Sequence, residues 1–346
     1  MSRRLRIAVL AGGRSSEHEI SVNSARSVLE SLDPDRYDTL TVRIERDGQW
    51  ELASGEQPRE LEAGTTVAET LPVPSNGSVP ATLGGVDVVI PVLHGPFGED
   101  GTVQGLLELA GVPYVGAGVT ASGLCMDKDL FKAVMRDNGV PVTRNVTLRK
   151  PDEIENPFGY PVFVKPARLG SSVGITKVRS EDELEPAVRL AFEHDEKVLV
   201  EEFVAGVEVE CGVLGNREPI ASIPGEIVSH GFDAPDWYDY SAKYDEGGME
   251  LVIPPRISEE QIERVQRLAV ESFVATECEG MARVDFFVRG SDGEVVVNEL
   301  NTIPGFTATS VYAKLFEASG IPYPELLDRL VELALERHER RSRLRY

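Results

Sequence analysis

The chain has 346 residues and carries 58 acidic against 35 basic side chains, which gives a formal net charge of −23. This length predicts two or three domains, and 41% hydrophobic with 27% charged residues excludes a disordered or fibrous chain. The negative charge argues against binding to nucleic acid or to a membrane surface, because both need patches of Lys and Arg. We find no apolar run long enough for a bilayer span or a signal peptide and therefore expect a soluble, cytoplasmic protein.

The first 120 residues alternate between apolar strands and amphipathic helices. Residues 5–13 predict a buried strand that ends in a glycine turn, and residues 86–93 predict a second buried strand. Helical spacing of apolar residues follows the first strand over 21–32, whereas residues 53–85 are rich in Pro, Gly, Ser and Thr and predict a surface excursion. We therefore predict a doubly wound α/β domain over residues 1–120.

Two further units are predicted downstream. Residues 121–210 predict a small mixed unit, and residues 211–346 predict a unit with longer strands and a C-terminal helix. A loop over 225–248 is packed with Asp, Gly and aromatic residues. The other elements predicted in these units are helices over 122–138, 181–192 and 258–276 and strands over 140–148, 160–166 and 197–203.

A predicted hairpin near the C-terminus concentrates polar side chains on one face. If its loop is the three residues 291–293, Asp285 lies opposite Glu299 and Arg283 lies opposite Asn301. Period-two alternation then places all four side chains on one face of the sheet. Two carboxylates and an amide oxygen form a donor set for a hard cation such as Mg²⁺. The alternative is a solvated face with one Arg–Asp ion pair, and a two-residue loop would separate the polar set.

The sequence contains neither a P-loop nor a G-x-G-x-x-G fingerprint. Residues 170–174 match G-x-S-x-G, which would make Ser172 the nucleophile of a serine hydrolase. Five residues separate the strand end at Val164 from Gly170, which is too many for a sharp strand-to-helix elbow. We favour a Gly/Ser loop that places backbone N–H groups over phosphates. Lys165 ends the preceding apolar strand, where its charge needs an anionic partner.

Two loops of the first domain are predicted to face one crevice. Glu17 and His18 follow the first strand, and His94 opens a glycine-rich loop after the second. Ligand sites of α/β proteins lie at these strand ends. Ordinary capping of the following helices by acidic residues is the alternative interpretation.

Two long motifs resemble those of the D-alanine–D-alanine ligase family in the ATP-grasp superfamily. The first is His94-Gly-x-x-Gly-Glu-Asp-Gly-x-Val-Gln-Gly. The second combines Arg283-x-Asp285-Phe-Phe with Asn298-Glu299-Leu-Asn301-Thr-x-Pro-Gly305. The resemblance covers nearly the whole chain and implies an ATP-grasp fold of three α+β domains. It also implies ATP-dependent joining of two D-alanines through a D-alanyl phosphate, for peptidoglycan synthesis, with two Mg²⁺ or Mn²⁺ ions.

Carried over by position, the resemblance implies a role for each motif residue. Glu17 would bind the ammonium group of the first D-alanine, with His94 nearby, and would form a hydrogen-bonded triad with Ser171 and Tyr244. Arg283 and the Gly305 N–H would stabilise the tetrahedral oxyanion, and Ser310 would hold the carboxylate of the second substrate. The metal ligands would be Asp285, Glu299 and Asn301. The implied ATP-binding residues are Lys128, Lys165, Ser171, Glu201, Glu202, Val204, Glu208 and Lys243.

One position departs from the family pattern, because Glu202 stands where many relatives carry Lys. If only the backbone of residue 202 contacts adenine, this change matters little. Tyr244 favours an amine nucleophile over D-lactate, which is the substrate of related depsipeptide ligases. A non-catalytic nucleotide-binding relative and the serine hydrolase are the competing interpretations. The resemblance also suggests a homodimer.

Overall fold

A computed structural model of the protein describes residues 3–53, 70–71, 85–170, 173–229 and 249–345. The described residues form three β-sheets with helices packed against them. None of the described helices combines the length and the apolar character that a bilayer span requires. The mixed α/β architecture agrees with the fold class predicted from the sequence.

The first sheet has five strands in the order β4-β3-β2-β1-β5, and β1 pairs in parallel with both β2 and β5. Strand β1, which lies between β2 and β5, is buried because residues 7–11 are all apolar. The predicted buried strands and the helix after the first strand are confirmed. The elements of this region are β1 (Leu5–Gly12), α1 (His18–Ser31), β2 (Tyr37–Ile44), β3 (Trp50–Ala53), β4 (Thr70–Leu71), β5 (Val88–Pro91) and α2 (Thr102–Ala110).

The single helix predicted over 122–138 is wrong, because the chain breaks at Asp127 into α3 (Val119–Met126) and α4 (Lys128–Asp137). Asp127 adopts an extended backbone, and its side chain caps α4 by accepting a hydrogen bond from the Leu130 N–H. The same carboxylate binds Lys197 at 2.6 Å. A buried ion pair between two residues 70 positions apart therefore stabilises the break between α3 and α4.

The second sheet has four strands in the order β6-β9-β7-β8, and every neighbouring pair is antiparallel. The helix predicted over 181–192 is confirmed at the same bounds, and its apolar face packs on this sheet. The elements are β6 (Asn145–Leu148), β7 (Val162–Pro166), β8 (Thr176–Val178), α5 (Glu181–Phe192) and β9 (Val198–Glu202).

The third sheet follows the path β13-β12-β10-β14-β15, with β11 paired to β10. The long strand β10 crosses residue 210, where we place the end of the second domain, and it belongs wholly to this sheet. The three-domain division stays a prediction. The elements are β10 (Gly206–Gly215), β11 (Ile220–Ala221), β12 (Gly225–Ser229), β13 (Met249–Val252), α6 (Glu259–Ala275), β14 (Gly280–Arg289), β15 (Val295–Asn301), α7 (Val311–Ala318) and α8 (Tyr323–Ser342).

The C-terminal helix α8 joins the first sheet to the third. Its buried residues Leu326 and Leu330 lie in one apolar core with Ile7 and Val9 of β1 and with Met281 of β14. Burial of this shared apolar surface holds the loops that follow β1 and β5 against the segment that follows β15. Glu17, His94, Gly305 and Ser310 of the predicted site lie in these three segments.

Candidate active site

The hairpin of β14 and β15 pairs Asp285 with Glu299 and Arg283 with Asn301, as predicted. The predicted three-residue loop is wrong, because Arg289 pairs with Glu294 and the loop comprises the four residues 290–293. A β-bulge at residue 298 adds one residue to β15 and restores the predicted pairing. The polar face therefore depends on the bulge as well as on the turn.

Arg283 lies among carboxylates at the centre of this face. Its Nε donates to Asp285 Oδ1 at 2.7 Å, and its terminal nitrogen donates to Asp285 Oδ2 at 2.7 Å. Glu210 on the neighbouring strand lies 2.9 Å from the same Nε. Burial alone would lower the pKa of Arg283, but Asp285, Glu210 and Glu299 raise it well above its ordinary value. Arg283 is therefore a permanent cation on a face rich in carboxylates.

Lys128 connects this face to the second sheet. It begins α4, and its Nζ lies 3.2 Å from Glu299 Oε2 and donates to the Leu169 carbonyl at 2.8 Å. Leu169 belongs to the glycine-rich turn that follows β7. One buried ammonium group thus contacts both a predicted metal ligand and the predicted phosphate-binding loop.

A second buried cluster is centred on Glu201, at the end of β9. Lys165 Nζ donates to Glu201 Oε1 at 2.8 Å and lies 3.4 Å from the side-chain oxygen of Asn298, the bulged residue. The second carboxylate oxygen of Glu201 accepts from Lys132, which also donates to the Thr143 hydroxyl. Burial favours the neutral form of Glu201, but the two lysines outweigh it and lower the pKa of this carboxyl.

The sequence interpretation did not identify Lys132. The signal was present in α4, where the buried residues Lys128, Phe131, Lys132 and Met135 follow the i, i+3, i+4, i+7 spacing of a core-facing stripe. A lysine in that stripe needs a buried partner. Only the folded chain shows that the partner is Glu201.

The two loops of the first domain face one crevice, as predicted. A Cβ atom added to Gly95 would lie 2.3 Å from a Glu17 carboxylate oxygen, and one added to Gly170 would lie 3.7 Å from the same oxygen. The main chain at both glycines therefore closely approaches Glu17. The glycine-rich turn of the second sheet meets the first-domain crevice here.

His94 lies at the base of this crevice. Its Nδ1 is 3.1 Å from the Ile303 carbonyl, and its Nε2 is 3.2 Å from the Ser24 hydroxyl. Burial lowers the pKa of His94, although Glu17 opposes this effect. The imidazole is therefore neutral near pH 7 and ties the first domain to the segment after β15.

Glu99 is a second residue to which the sequence interpretation assigned no role. One carboxylate oxygen accepts from the Gly95 N–H at 2.8 Å, and the other accepts from the Ile303 N–H at 3.2 Å. Burial and the neighbouring Glu17 raise the pKa of Glu99 to about 8. The sequence shows that Glu99 lies inside the first motif, but it does not show that Glu99 accepts a hydrogen bond from Ile303 in the segment after β15.

Gly305 and Ser310 lie together after β15. A Cβ atom at Gly305 would meet the Ser310 hydroxyl at 3.4 Å, and that hydroxyl accepts from the Thr307 N–H at 3.0 Å. Ser310 directly precedes the first turn of α7. The arrangement places a hydroxyl group at a helix N-terminus, a position that favours a carboxylate.

Comparison with known proteins decides the family. A family model described as D-ala D-ala ligase N-terminus matches residues 6–117, and one described as D-ala D-ala ligase C-terminus matches residues 133–332. The D-alanine–D-alanine ligase of Geobacillus thermodenitrificans is 43% identical over 363 residues, which covers 99% of this chain and 98% of that protein. The chain belongs to the D-alanine–D-alanine ligase family.

Solved structures of the family are also similar. The VanG D-Ala:D-Ser ligase from Enterococcus faecalis superposes with a TM-score of 0.84 at 39% identity, covering 96% of this chain and 100% of that one. The D-alanine–D-alanine ligase from Bacillus anthracis, solved in complex with ATP, has a TM-score of 0.77 at 29% identity, covering 98% of this chain and 100% of that one.

The position that departs from the family pattern has partners of its own. The Glu202 carboxylate accepts from the Arg144 N–H at 2.8 Å and from the Arg144 Nε at 2.7 Å, and Arg289 lies 3.9 Å away. The Glu202 side chain is therefore already paired with arginines from two other segments of the chain. The carboxylate at position 202 therefore joins the end of β9 to the segment that precedes β6.

Two more of the predicted ATP-binding residues, Val204 and Glu208, follow Glu202 along the chain. Val204 is buried, and Glu208 lies on β10 two residues before Glu210, on the same face of the third sheet. The loop predicted over 225–248 is wrong for its first five residues, which form β12 because they pair with both β10 and β13. Its remainder lies outside the described residues, as do Ser171, Lys243, Tyr244 and Ser172 of the alternative hydrolase motif.

Proposed function

We propose that this protein joins two D-alanines into D-alanyl-D-alanine at the expense of ATP, for peptidoglycan synthesis. The γ-phosphoryl group of ATP passes to the carboxylate of the first D-alanine and gives an acyl phosphate and ADP. The amine of the second D-alanine attacks the acyl carbon, phosphate leaves, and the peptide bond forms. The observation that carries this proposal is the contact of Lys128 with both Glu299 and the Leu169 carbonyl. It supports the proposal because one lysine, the proposed metal ligand Glu299 and the glycine-rich turn meet at one point.

The face of β14 and β15 fits a divalent cation. In the described part of the chain, no three His, Cys, Asp or Glu side chains form a closed metal cage. Asp285, Glu299 and Asn301 provide two carboxylates and one amide on neighbouring strands, a partial donor set that leaves positions for phosphate oxygens. We propose that these three residues hold two Mg²⁺ ions, which neutralise charge on the ATP phosphates.

The protein's own cations complete the charge balance around the transferred phosphoryl group. Lys165 and Lys128 approach this region from the second sheet and from the start of α4. Arg283 and the Gly305 N–H would stabilise the oxyanion that develops when the amine attacks the acyl phosphate. We propose that Lys243, outside the described residues, adds a third lysine for phosphate. Glu201, Glu208 and the backbone at Glu202 and Val204 would hold adenine and ribose.

The two substrates would bind on opposite sides of the reacting carboxylate. Glu17 would bind the ammonium group of the first D-alanine beside the neutral His94. The Ser310 hydroxyl at the start of α7 would hold the carboxylate of the second. We propose that Ser171 and Tyr244 form a triad with Glu17 and that the 225–248 loop closes over the acyl phosphate. Exclusion of water would protect this intermediate from hydrolysis.

The test is phosphate release from the purified protein with ATP, Mg²⁺ and D-alanine, with products identified by mass spectrometry. Parallel reactions contain L-alanine, D-alanine with D-lactate, and D-alanine with D-serine. The D-serine reaction matters because the similar VanG structure is named a D-Ala:D-Ser ligase. We expect D-alanine-dependent release and D-alanyl-D-alanine as the main product. If the product with D-serine or D-lactate exceeds D-alanyl-D-alanine, that compound and not D-alanine is the second substrate. Phosphate release without formation of a ligated product would refute the proposal.

Three related statements remain predictions. The division into domains over 1–120, 121–210 and 211–346 would be tested by limited proteolysis. We propose a cytoplasmic location, where ATP is available, and a homodimer, which sedimentation velocity would distinguish from a monomer.

A further inference from the structure

Lys132 is more deeply buried than the ionisable residues that we assign to ATP binding, Lys128, Lys165, Glu201 and Glu202. Its exposed fraction is 0%, and its hydrogen-bond partners are Glu201 and Thr143. A side chain with no exposed surface cannot contact a bound nucleotide. An effect of Lys132 on ATP must therefore pass through Glu201.

The charge balance of the cluster gives Lys132 a defined task. Glu201 carries one negative charge and binds two cations, Lys132 through Oε2 and Lys165 through Oε1. Burial lowers the pKa of Lys132 to about 8 while Glu201 opposes that shift, so the ammonium form predominates at pH 7. The three side chains together carry one excess positive charge. In a buried site an excess charge attracts an anion strongly because little solvent screens it.

We propose that Lys132 is a positioning residue that neutralises Glu201, so that the charge of Lys165 stays available for the phosphates of ATP. Without Lys132, Glu201 would bind Lys165 as its sole partner, and the cluster would be neutral. The inference rests on the proposed ATP-dependent function. It extends that function because it assigns a task to a residue that cannot contact the substrate.

The experiment compares the affinities of ATP and adenosine by calorimetry on the full chain with Mg²⁺ and without D-alanine. Adenosine lacks the phosphates, so the ratio of the two affinities isolates the contribution of charge. The variants are Lys132→Met, Glu201→Gln and the double variant. Arg337→Met is the matched control, because Arg337 is also a buried cation but bonds the carbonyls of Tyr114 and Gly116, away from this cluster.

We expect Lys132→Met to lower the ATP-to-adenosine affinity ratio by about 10-fold to 100-fold, by analogy with the loss of affinity when the partner that orients a metal ligand is removed. The double variant should recover the wild-type ratio, because removing Glu201 releases Lys165 again. Glu201 is a proposed adenine-binding residue, so Glu201→Gln should weaken the binding of ATP and adenosine alike. It should keep their ratio, since Lys132, which is more deeply buried than Lys165, loses its proton first when the shared carboxylate is removed. Arg337→Met should lower the melting temperature without changing the ratio.

Three results would overturn the inference: an unchanged ratio in Lys132→Met, a ratio that stays low in the double variant, or an equal fall in Arg337→Met. If Lys132→Met does not fold, the double variant still decides, because its one charge in this cluster is the ammonium group of Lys165, which is the charge assigned to ATP, and it must show the wild-type ratio. A wild-type protein that binds no ATP would instead refute the proposed function, so the two failures are distinguishable.

Discussion

Replacing Asp127 with alanine should destabilise the protein and misplace Lys128. Asp127 caps α4 through the Leu130 N–H at 3.2 Å and neutralises Lys197, whose Nζ lies 2.6 Å from its carboxylate. Both members of the ion pair are buried, with side-chain exposures of 9% and 8%. The substitution therefore removes a helix cap and leaves the buried ammonium group with Asp129, at 3.6 Å, as its one carboxylate partner among the described residues.

The expected loss combines these two contributions. A lost N-cap costs about 1 kcal/mol. Breaking a buried ion pair costs about 3–5 kcal/mol, and the low end applies here because Asp129 still faces Lys197. We expect Asp127→Ala to lose about 4 kcal/mol, which is a fall in melting temperature of roughly 8 °C at about 2 °C per kcal/mol. Asp127→Asn keeps the cap, because Asn is an equally good N-cap residue, and should lose about 1 kcal/mol less.

The assay is thermal unfolding followed by circular dichroism, with KM for ATP measured on the same samples. Asp137→Ala is the control, because Asp137 is an exposed residue of the same helix and should change stability by less than about 0.5 kcal/mol. KM for ATP should rise in Asp127→Ala and less in Asp127→Asn. If Asp127→Ala melts within about 1 °C of the wild type, roughly the scatter of a surface substitution, the reasoning about the break in this helix is wrong.

Three further predictions concern the site and its loops. Asp285→Asn should raise the Mg²⁺ concentration for half-maximal ligase activity at least about 10-fold in a Mg²⁺ titration, because it removes a proposed metal ligand. Burial lowers the pKa of His94, so below about pH 6.5 the unfolded chain binds more protons than the folded chain does. Unfolding curves should therefore show that the free energy of unfolding decreases as the pH is lowered through this range. His94→Gln should flatten that dependence, whereas the exposed His194→Gln should not. Gly98→Ala should lower the melting temperature, because its Cβ would lie 2.3 Å from a carbonyl oxygen. Gly105→Ala is the comparison: a Cβ there has open space within α2 and should raise the free energy of unfolding by about 0.5–1 kcal/mol.

Much of the fold followed from local patterns in the sequence. The buried strand β1 and the helix α5 were predicted from apolar spacing, because a strand or helix that buries one face must repeat apolar residues with its own period. The pairing of Asp285 with Glu299 was predicted as well, although the predicted loop was one residue too short. The bulge at residue 298 compensated for that error, and nothing in the local pattern indicated it.

The site could be predicted where its residues lie close together in sequence. The donor set of β14 and β15 spans 19 residues from Arg283 to Asn301, so strand alternation within one hairpin was enough to group its members, although the turn and the bulge set the final pairing. The resemblance to the ligase family then indicated roles for residues that local patterns leave ambiguous, among them Lys128 and Ser310. Whether Ser171 and Tyr244 join Glu17 stays a prediction.

The tertiary structure alone decided which charges neutralise one another. Helical spacing in α4 shows that Lys132 is buried, but its partner Glu201 lies 69 residues further along the chain. The break between α3 and α4 depends in the same way on Lys197, and the Glu202 side chain depends on Arg144, 58 residues away. Sequence periodicity reports whether a side chain faces the core, because that depends on its own element. The partner it meets there depends on how distant elements pack, and in a buried site that partner determines the charge available for binding ATP.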